Sequence, residues 1–197
     1  MEITNTHVDA VIWEYIDRYT STNKAASLVR SAVEELGVGL RPLLDHISIR
    51  TRDVQERALE FEALGFGYDD RLGVIERDTW WAKVYRKPGF PAIYLDQAFT
   101  DQRGTNSTLS RWVEKFDDGQ LHHIAISVDR IEHAIERFSA LGIEFTGEII
   151  GEPGSEYRQI YTVAEVVDGE PFTTLELIER RWGFTGFMSP AADQVSL

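Results

Sequence analysis

The sequence predicts an α+β fold in which two tandem βαβββ modules form a cupped mixed β-sheet beneath a cover of N-terminal helices. Three observations predict it: an internal repeat, an alternating pattern at the start of each copy, and helical periodicity before the first copy. The predicted sections are 1–40 (helical cover), 41–100 (first module), 101–119 (helical link), 120–188 (second module) and 189–197 (tail).

The repeat aligns residues 45–66 with residues 122–143 at a constant shift of 77, and seven of the 22 aligned positions are identical. One identical pair is His46 and His123. Because there are two copies and not a longer array, the pattern indicates duplication of one module.

Each copy begins with a period-2 alternation, which places His46, Ser48 and Arg50 on one face of a strand. A helix is predicted to follow each strand, capped by Asp53 in the first copy and by Asp129 in the second. Three further strands are then predicted in each copy, at about 66–76, 80–87 and 91–97 and at about 143–150, 156–164 and 171–180.

Composition narrows the possible functions. The chain has 33 acidic and 20 basic residues, a formal charge of -13, which opposes binding to nucleic acid. It has no cysteine, so thiolate metal sites and cysteine nucleophiles are excluded. The N-terminus lacks the order of a signal peptide and no run of 18 apolar residues exists, so we expect a cytoplasmic protein without a membrane partner, as a monomer or homodimer.

The module plan and three motifs resemble the vicinal oxygen chelate superfamily over residues 43–188. The motifs are DHISIR, LHHIAISV and the closing QIYT with TTLELIERRWGFTGF. The resemblance implies that metal ligands come from the first and last strand of each module. When FPAIYLDQ is aligned with FTTLELIE, the four corresponding residues are His46, Tyr94, His123 and Glu176.

His46, His123 and Glu176 are therefore the predicted metal ligands. Imidazole and carboxylate donors suit iron(II), with manganese, zinc, nickel and cobalt as alternatives. Two histidines and one carboxylate leave three coordination positions open, as oxygen activation requires. Tyr94 at the fourth position favours the dioxygenase branch over the glyoxalase and epimerase branches.

The motifs are similar to the 4-hydroxyphenylpyruvate dioxygenase and 2-oxoadipate dioxygenase/decarboxylase families, and the second shares the His-x-x-x-Arg pattern of His46 and Arg50. This resemblance implies an iron(II) dioxygenase that takes a small 2-oxo acid and dioxygen and decarboxylates the acid oxidatively. Arg50 is the predicted catalytic residue, a clamp for a substrate carboxylate. The other predicted substrate contacts are Tyr94, Gln159, Tyr161, Phe184 and Phe187, the two phenylalanines as a lid.

Other interpretations remain open at this point. A histidine at the start of a strand is usually structural, Arg50 can pair with a surface carboxylate, and Tyr161 can be a core aromatic. Arg158 and Arg180 are candidates for a local positive pocket, whereas Glu179 is out of phase with Glu176 and should point away. The rival functions are a glyoxalase-like isomerase, lyase or epimerase and a non-catalytic module that binds small molecules.

Overall fold

The computed structural model describes residues 4–187; the predicted tail, 189–197, lies outside them. The chain begins with the two predicted helices, α1 (Asn5–Thr22) and α2 (Lys24–Glu35). Asn23 lies between them. Its side chain caps α2, because it accepts a hydrogen bond from the amide of Ala26 at 2.9 Å. Among residues 4–187, no helix has the length and apolarity needed to cross a membrane.

The described residues fall into two compact units, one of residues 4–18 and 46–122 and the other of residues 19–45 and 123–187. Each contains most of one βαβββ module.

In the first module, the first and last strands of the βαβββ order pair with each other in parallel. Its elements are β1 (Leu44–Arg50), α3 (Val54–Ala63), β2 (Gly67–Tyr68), β3 (Ile75–Glu76), β4 (Trp80–Arg86) and β5 (Ala92–Ala98), followed by α4 (Thr108–Phe116). The strand order is β2–β4–β5–β1, with β3 beside β4. Strand β5 runs parallel to β1 and antiparallel to β4.

The second module repeats this plan. Its elements are β6 (Gln120–Ser127), α5 (Ile131–Ser139), β7 (Phe145–Ile150), β8 (Tyr157–Thr162), β9 (Val166–Val167), β10 (Glu170–Pro171) and β11 (Thr174–Arg180). The strand order is β6–β11–β8–β7, with β11 parallel to β6 and antiparallel to β8. The predicted α+β fold of tandem βαβββ modules with N-terminal helices is confirmed.

Two predicted strands are divided. The stretch 66–76 forms two short strands, β2 and β3, which both pair with β4. Instead of one strand over 171–180, a small hairpin of β9 and β10 precedes β11. Asp168 and Gly169 turn the hairpin with φ of 51° and 79°, the left-handed region used by tight hairpin turns. Phe172 then donates a backbone hydrogen bond to Glu165, which closes the base of the hairpin.

The two helix caps differ from each other. Asp53 caps α3 as predicted, accepting from the amides of Gln55 and Glu56 at 2.8 and 3.0 Å. The prediction for Asp129 is wrong. The first amide of α5, that of Ile131, donates instead to Oε2 of Glu179 at 2.9 Å, because β11 presents this buried carboxylate to the end of the helix.

Alternation along the strands gives each module a helix-covered face and an opposite face. In β1, Ile47 and Ile49 are fully buried on the side of α3, whose first amide donates to Gln97 of β5 at 2.7 Å. The side chains of His46, Ser48 and Arg50 lie on the opposite face. The fold therefore frees one face per module for polar side chains, and all predicted metal ligands lie on these faces.

Candidate metal centre

His46 lies on the face of the first module opposite α3. Only 2% of it is exposed, and its ring centroid is 6.0 Å from that of Tyr94. In the parallel pairing of β1 with β5, His46 stands opposite Ala92 and Ser48 stands opposite Tyr94. Paired residues of neighbouring strands point to the same side, so His46, Ser48 and Tyr94 share a face.

His123 and Glu176 converge in the second module. His123 stands opposite Thr174 in the pairing of β6 with β11, and Glu176 is two residues further along β11. Nε2 of His123 is 3.3 Å from Oε2 of Glu176, and the carboxylate is buried. A buried carboxylate requires a proton donor or a positive charge beside it, and a histidine nitrogen together with a carboxylate oxygen offers two ligand atoms to a cation.

His46, His123 and Glu176 are candidate metal ligands. Each offers one ligand atom, and all three residues are buried, His46 in the first unit and His123 and Glu176 in the second. The donor set is neutral imidazole nitrogen and carboxylate oxygen, which fits a divalent ion of iron, manganese, zinc, nickel or cobalt. These are the three residues that the sequence analysis selected, and their binding of a metal stays a prediction.

Tyr94 occupies the place in the first module that Glu176 occupies in the second. Each stands two residues after the residue that pairs with the module's histidine: Ala92 pairs with His46 and Thr174 with His123. This common register supports the sequence alignment of the two closing strands. A phenol therefore stands where a second carboxylate would be, and it is a weaker ligand for a divalent ion because its ordinary pKa is about 10.

Beside Glu176, β8 carries a chain of polar side chains. The hydroxyl of Tyr157 donates to Oε1 of Gln159 at 2.6 Å, and Nε2 of Gln159 donates to the hydroxyl of Tyr161 at 3.4 Å. The ring of Tyr161 meets that of His123 edge to face at 5.6 Å. Gln159 and Tyr161 therefore lie on the same face as the candidate ligands, and the hydrogen bonds fix the orientation of the amide.

Arg180 and the two phenylalanines form the next layer of this module. The guanidinium of Arg180 lies 4.7 Å from the ring of Tyr157 and 5.1 Å from that of Phe187. It also donates two hydrogen bonds to Asp45, at 2.7 and 3.0 Å. Phe184 packs edge to face on Tyr157 at 5.8 Å. Arg180 is thus compensated by Asp45, and the role of the phenylalanines as a lid stays a prediction.

Arg158 does not serve a positive pocket. It lies on the face of β8 that α5 covers, where it donates to Glu132 at 2.6 Å and approaches Glu179 at 3.5 Å. Glu179 also accepts from Arg181 at 2.7 Å and points away from the face of Glu176. The expectation for Glu179 is therefore confirmed, whereas the expectation for Arg158 is wrong because strand parity places it among carboxylates on the other side.

Arg50 lies on the face of His46 but is not isolated. Its Nε is 3.9 Å from Oδ2 of Asp96, and its guanidinium lies 5.1 Å from the ring of Trp112. Arg50 and Asp96 stand opposite each other in the pairing of β1 with β5 and are both buried. Burial raises the pKa of the Asp96 carboxyl to about 7, although the charge of Arg50 opposes the shift.

A family model confirms the relationship that the sequence suggested. The model for the glyoxalase/bleomycin resistance protein/dioxygenase superfamily matches residues 45–162, more than half of the chain. The chain belongs to this superfamily. A search of curated proteins found no match to the chain.

Solved structures show the superfamily fold at low sequence identity. A candidate hydrolase from Shewanella frigidimarina has 18% identity and a TM-score of 0.78, covering 95% of this chain and 99% of that one. A mutant of 4-hydroxymandelate synthase from Streptomyces coelicolor has 21% identity and a TM-score of 0.62, covering 78% and 53%. A glyoxalase superfamily protein from Ralstonia eutropha has 14% identity and a TM-score of 0.60, covering 75% of each chain.

Sequence reasoning missed two residues beside Arg50, namely Asp96 and Trp112. A signal for Asp96 was present, because it lies two residues after Tyr94 and period 2 puts both on one face of β5. No local pattern indicated Trp112, since its contact with Arg50 depends on where α4 packs. The face of the first module that carries His46 and Arg50 is thus more polar than the sequence suggested.

Proposed function

We propose that this chain is a mononuclear non-haem iron(II) dioxygenase that decarboxylates a small 2-oxo acid oxidatively. The observation that carries the proposal is a buried histidine at the equivalent strand position of each module, accompanied by a buried glutamate in the second module and by a tyrosine at the equivalent position of the first. Three protein ligands leave room for both reactants, whereas a fourth would occupy one of the open positions. The superfamily contains dioxygenases, which agrees with this reaction class.

His46, His123 and Glu176 would hold the metal, and Glu176 would balance part of its charge. When bound, iron(II) supplies one-electron chemistry and open positions at which a 2-oxo acid and dioxygen can meet. The glutamate acts as a ligand and not as a general base. Its burial serves this role, because a carboxylate withdrawn from water binds a cation more strongly than an exposed one.

The neighbouring side chains position the substrate. Gln159 and Tyr161 present an ordered amide and hydroxyl on the face of Glu176, which orient the polar end of the acid. Arg50 attracts a carboxylate on the face of His46, and Tyr94 lies between these two residues along the strands. Phe184 and Phe187 exclude water from the second module's face, where their rings pack on Tyr157 and Arg180.

The proposed reaction balances with dioxygen as the only oxidant. The bond between the carboxylate and the keto carbon breaks and releases carbon dioxide. One oxygen atom converts the keto carbon to a new carboxylate, and the second is inserted into the remaining substrate. Decarboxylation and insertion each supply two electrons, which together reduce one dioxygen.

The proposal is tested by reconstituting the protein anaerobically with iron(II) and then adding dioxygen with a panel of 2-oxo acids. The panel includes 2-oxoadipate and 4-hydroxyphenylpyruvate. We expect oxygen uptake equal to carbon dioxide release with at least one acid. His46→Ala, His123→Ala and Glu176→Ala should each lose bound iron and oxygen uptake together, whereas His133→Ala, which changes an exposed histidine, should retain both.

Three results would reject the assignment. The first is the absence of oxygen uptake with every acid when the iron content is full. The second is metal-dependent turnover of a superfamily substrate without oxygen, supported by nickel, cobalt or zinc, which would instead assign a glyoxalase-like isomerase. The third is ligand binding that is unaffected by loss of both histidines, which would assign a non-catalytic binding protein.

A further inference from the structure

A second cluster of buried polar groups lies on the face of His46 and Tyr94, further along β1 and β5. Going along β1 and β5, the paired residues are His46 with Ala92, Ser48 with Tyr94, and Arg50 with Asp96. The last pair is about 13 Å from the first, because a strand rises about 3.3 Å per residue. The Arg50–Asp96 pair is therefore set apart from His46 along the same face of the first module, and Ser48 lies between them.

The ion pair between Arg50 and Asp96 is long. Nε of Arg50 is 3.9 Å from Oδ2 of Asp96, which is too long for a hydrogen bond. Among the described residues, Oδ1 of Asp96 and Oγ of Ser48 are buried and have no hydrogen-bond partner. Buried polar atoms normally have partners, so such atoms beside a candidate site point to a ligand that completes their bonds.

The surroundings favour a neutral Asp96. Desolvation is the largest cause of its raised pKa, and Arg50 is the charged group that acts against it. On β4 an alanine, Ala82, stands opposite Asp96, and from α4 the ring of Trp112 lies against Arg50. The ring of His122 meets that of Trp112 edge to face, with 5.6 Å between the ring centroids, and the charged residues of α4 are exposed, namely Arg111, Glu114 and Lys115.

We propose that Arg50, Asp96 and Ser48 form a subsite that binds a substrate carboxylate together with one proton, which Asp96 holds. The protonated Asp96 donates a hydrogen bond to the incoming carboxylate, Ser48 donates another, and Arg50 supplies the positive charge. An ionised Asp96 would repel the same carboxylate and cancel the attraction of Arg50. The proton comes from solvent, so binding consumes one proton whenever Asp96 is ionised beforehand.

This inference deepens the proposed function, since it specifies how the second carboxylate of a dicarboxylic 2-oxo acid is held. It predicts that dicarboxylic acids bind more tightly at low pH. Because the pKa of Asp96 is about 7, the protonated fraction falls about tenfold from pH 6 to pH 8, and the affinity should fall by the same factor.

The test uses calorimetry of the full chain with adipate, a dicarboxylate without the reactive 2-oxo group. At pH 8, titrations in two buffers of different ionisation enthalpy should give uptake of about 0.9 proton per adipate, and at pH 6 about 0.1. Asp96→Asn keeps a hydrogen-bond donor but cannot titrate, so its affinity should be independent of pH. Asp129→Asn removes an exposed carboxylate and should behave as the wild type. Arg50→Gln should lose adipate binding at both pH values.

The wild type alone can overturn the proposal. Adipate binding that is absent at pH 6, independent of pH, or without proton uptake at pH 8 would do so, even if the variants failed to fold. Equal pH dependence in Asp96→Asn would also reject it. Because no step uses oxygen or iron turnover, failure here is distinct from failure of the proposed dioxygenase activity.

Discussion

At the scale of single residues, burial decides the chemistry of the two candidate faces. Glu176 is only 1% exposed and Asp96 only 5%, so each carboxylate depends on its few neighbours for stabilisation. Glu176 has a histidine at 3.3 Å, whereas Asp96 has an arginine only at 3.9 Å. We therefore expect Glu176 to favour a cation and Asp96 to favour a proton.

We expect metal binding to stabilise the wild type but not Glu176→Gln. Iron(II) at about 100 times its Kd should raise the Tm of the metal-free wild type by about 5–10 °C, since it binds only the folded state. The glutamine variant keeps the shape but loses the ligand charge, so its Tm should not change. The measurement is thermal unfolding under anaerobic conditions with and without iron. Glu170→Gln, an exposed change, is the control and should shift like the wild type.

Stability should depend on pH through Asp96. Its pKa is about 7 in the folded protein against 3.8 ordinarily, so the folded state holds a proton that the unfolded state loses. The free energy of unfolding should therefore fall as pH rises from about 4 to about 7, by on the order of 4 kcal/mol relative to Asp96→Asn, and be flat above. Urea unfolding of both proteins at several pH values measures the stability of the wild type relative to the variant. A relative stability of the wild type that rises with pH would contradict the prediction.

At the scale of elements, the helix of each module begins by a different device. Helix α3 is capped locally by Asp53, whereas the first amide of α5 is held by Glu179 from β11, 48 residues away. Glu179 also contacts Arg158 and Arg181, so it joins the helix, β8 and the residue after β11. The second module therefore depends on one buried carboxylate for several contacts.

Alanine substitutions at Asp53, Glu179 and Asp129 should lower the free energy of unfolding by different amounts. Asp53→Ala should lower the free energy of unfolding by about 1 kcal/mol, which is typical of a lost cap. Glu179→Ala should lower it by about 3 kcal/mol, because it leaves Arg158 buried with one partner fewer. Asp129→Ala should change it by less than about 0.5 kcal/mol, as for an exposed residue. Chemical unfolding tests this order, and a larger loss for Asp129 than for Asp53 would refute the capping assignment.

At the scale of the whole molecule, the charge of -13 opposes the approach of an anionic substrate. Arg50 and Arg180 lie on the candidate faces, but two arginines, of which Arg180 is compensated by Asp45, do not offset this charge. The net field therefore remains negative, and an acid must reach the site against it.

Salt should accordingly assist the substrate. Raising the ionic strength from about 20 to about 200 mM shortens the screening length from about 20 Å to below 10 Å. We expect the KM for a 2-oxo acid to fall, with a larger change for a dicarboxylate than for a monocarboxylate. Steady-state oxygen uptake at several salt concentrations measures this. A KM that rises with salt would show that local positive charge dominates the approach.

The sequence by itself determined the module plan and the candidate ligands. The 77-residue repeat pairs His46 with His123, and strand parity separates Glu176 from Glu179, because both patterns depend only on local spacing. Only the tertiary structure decided that Glu179 caps α5, that Arg50 pairs with Asp96, and that Nε2 of His123 lies 3.3 Å from Oε2 of Glu176. These outcomes depend on register between distant strands and on burial, which neighbouring residues in the sequence do not specify.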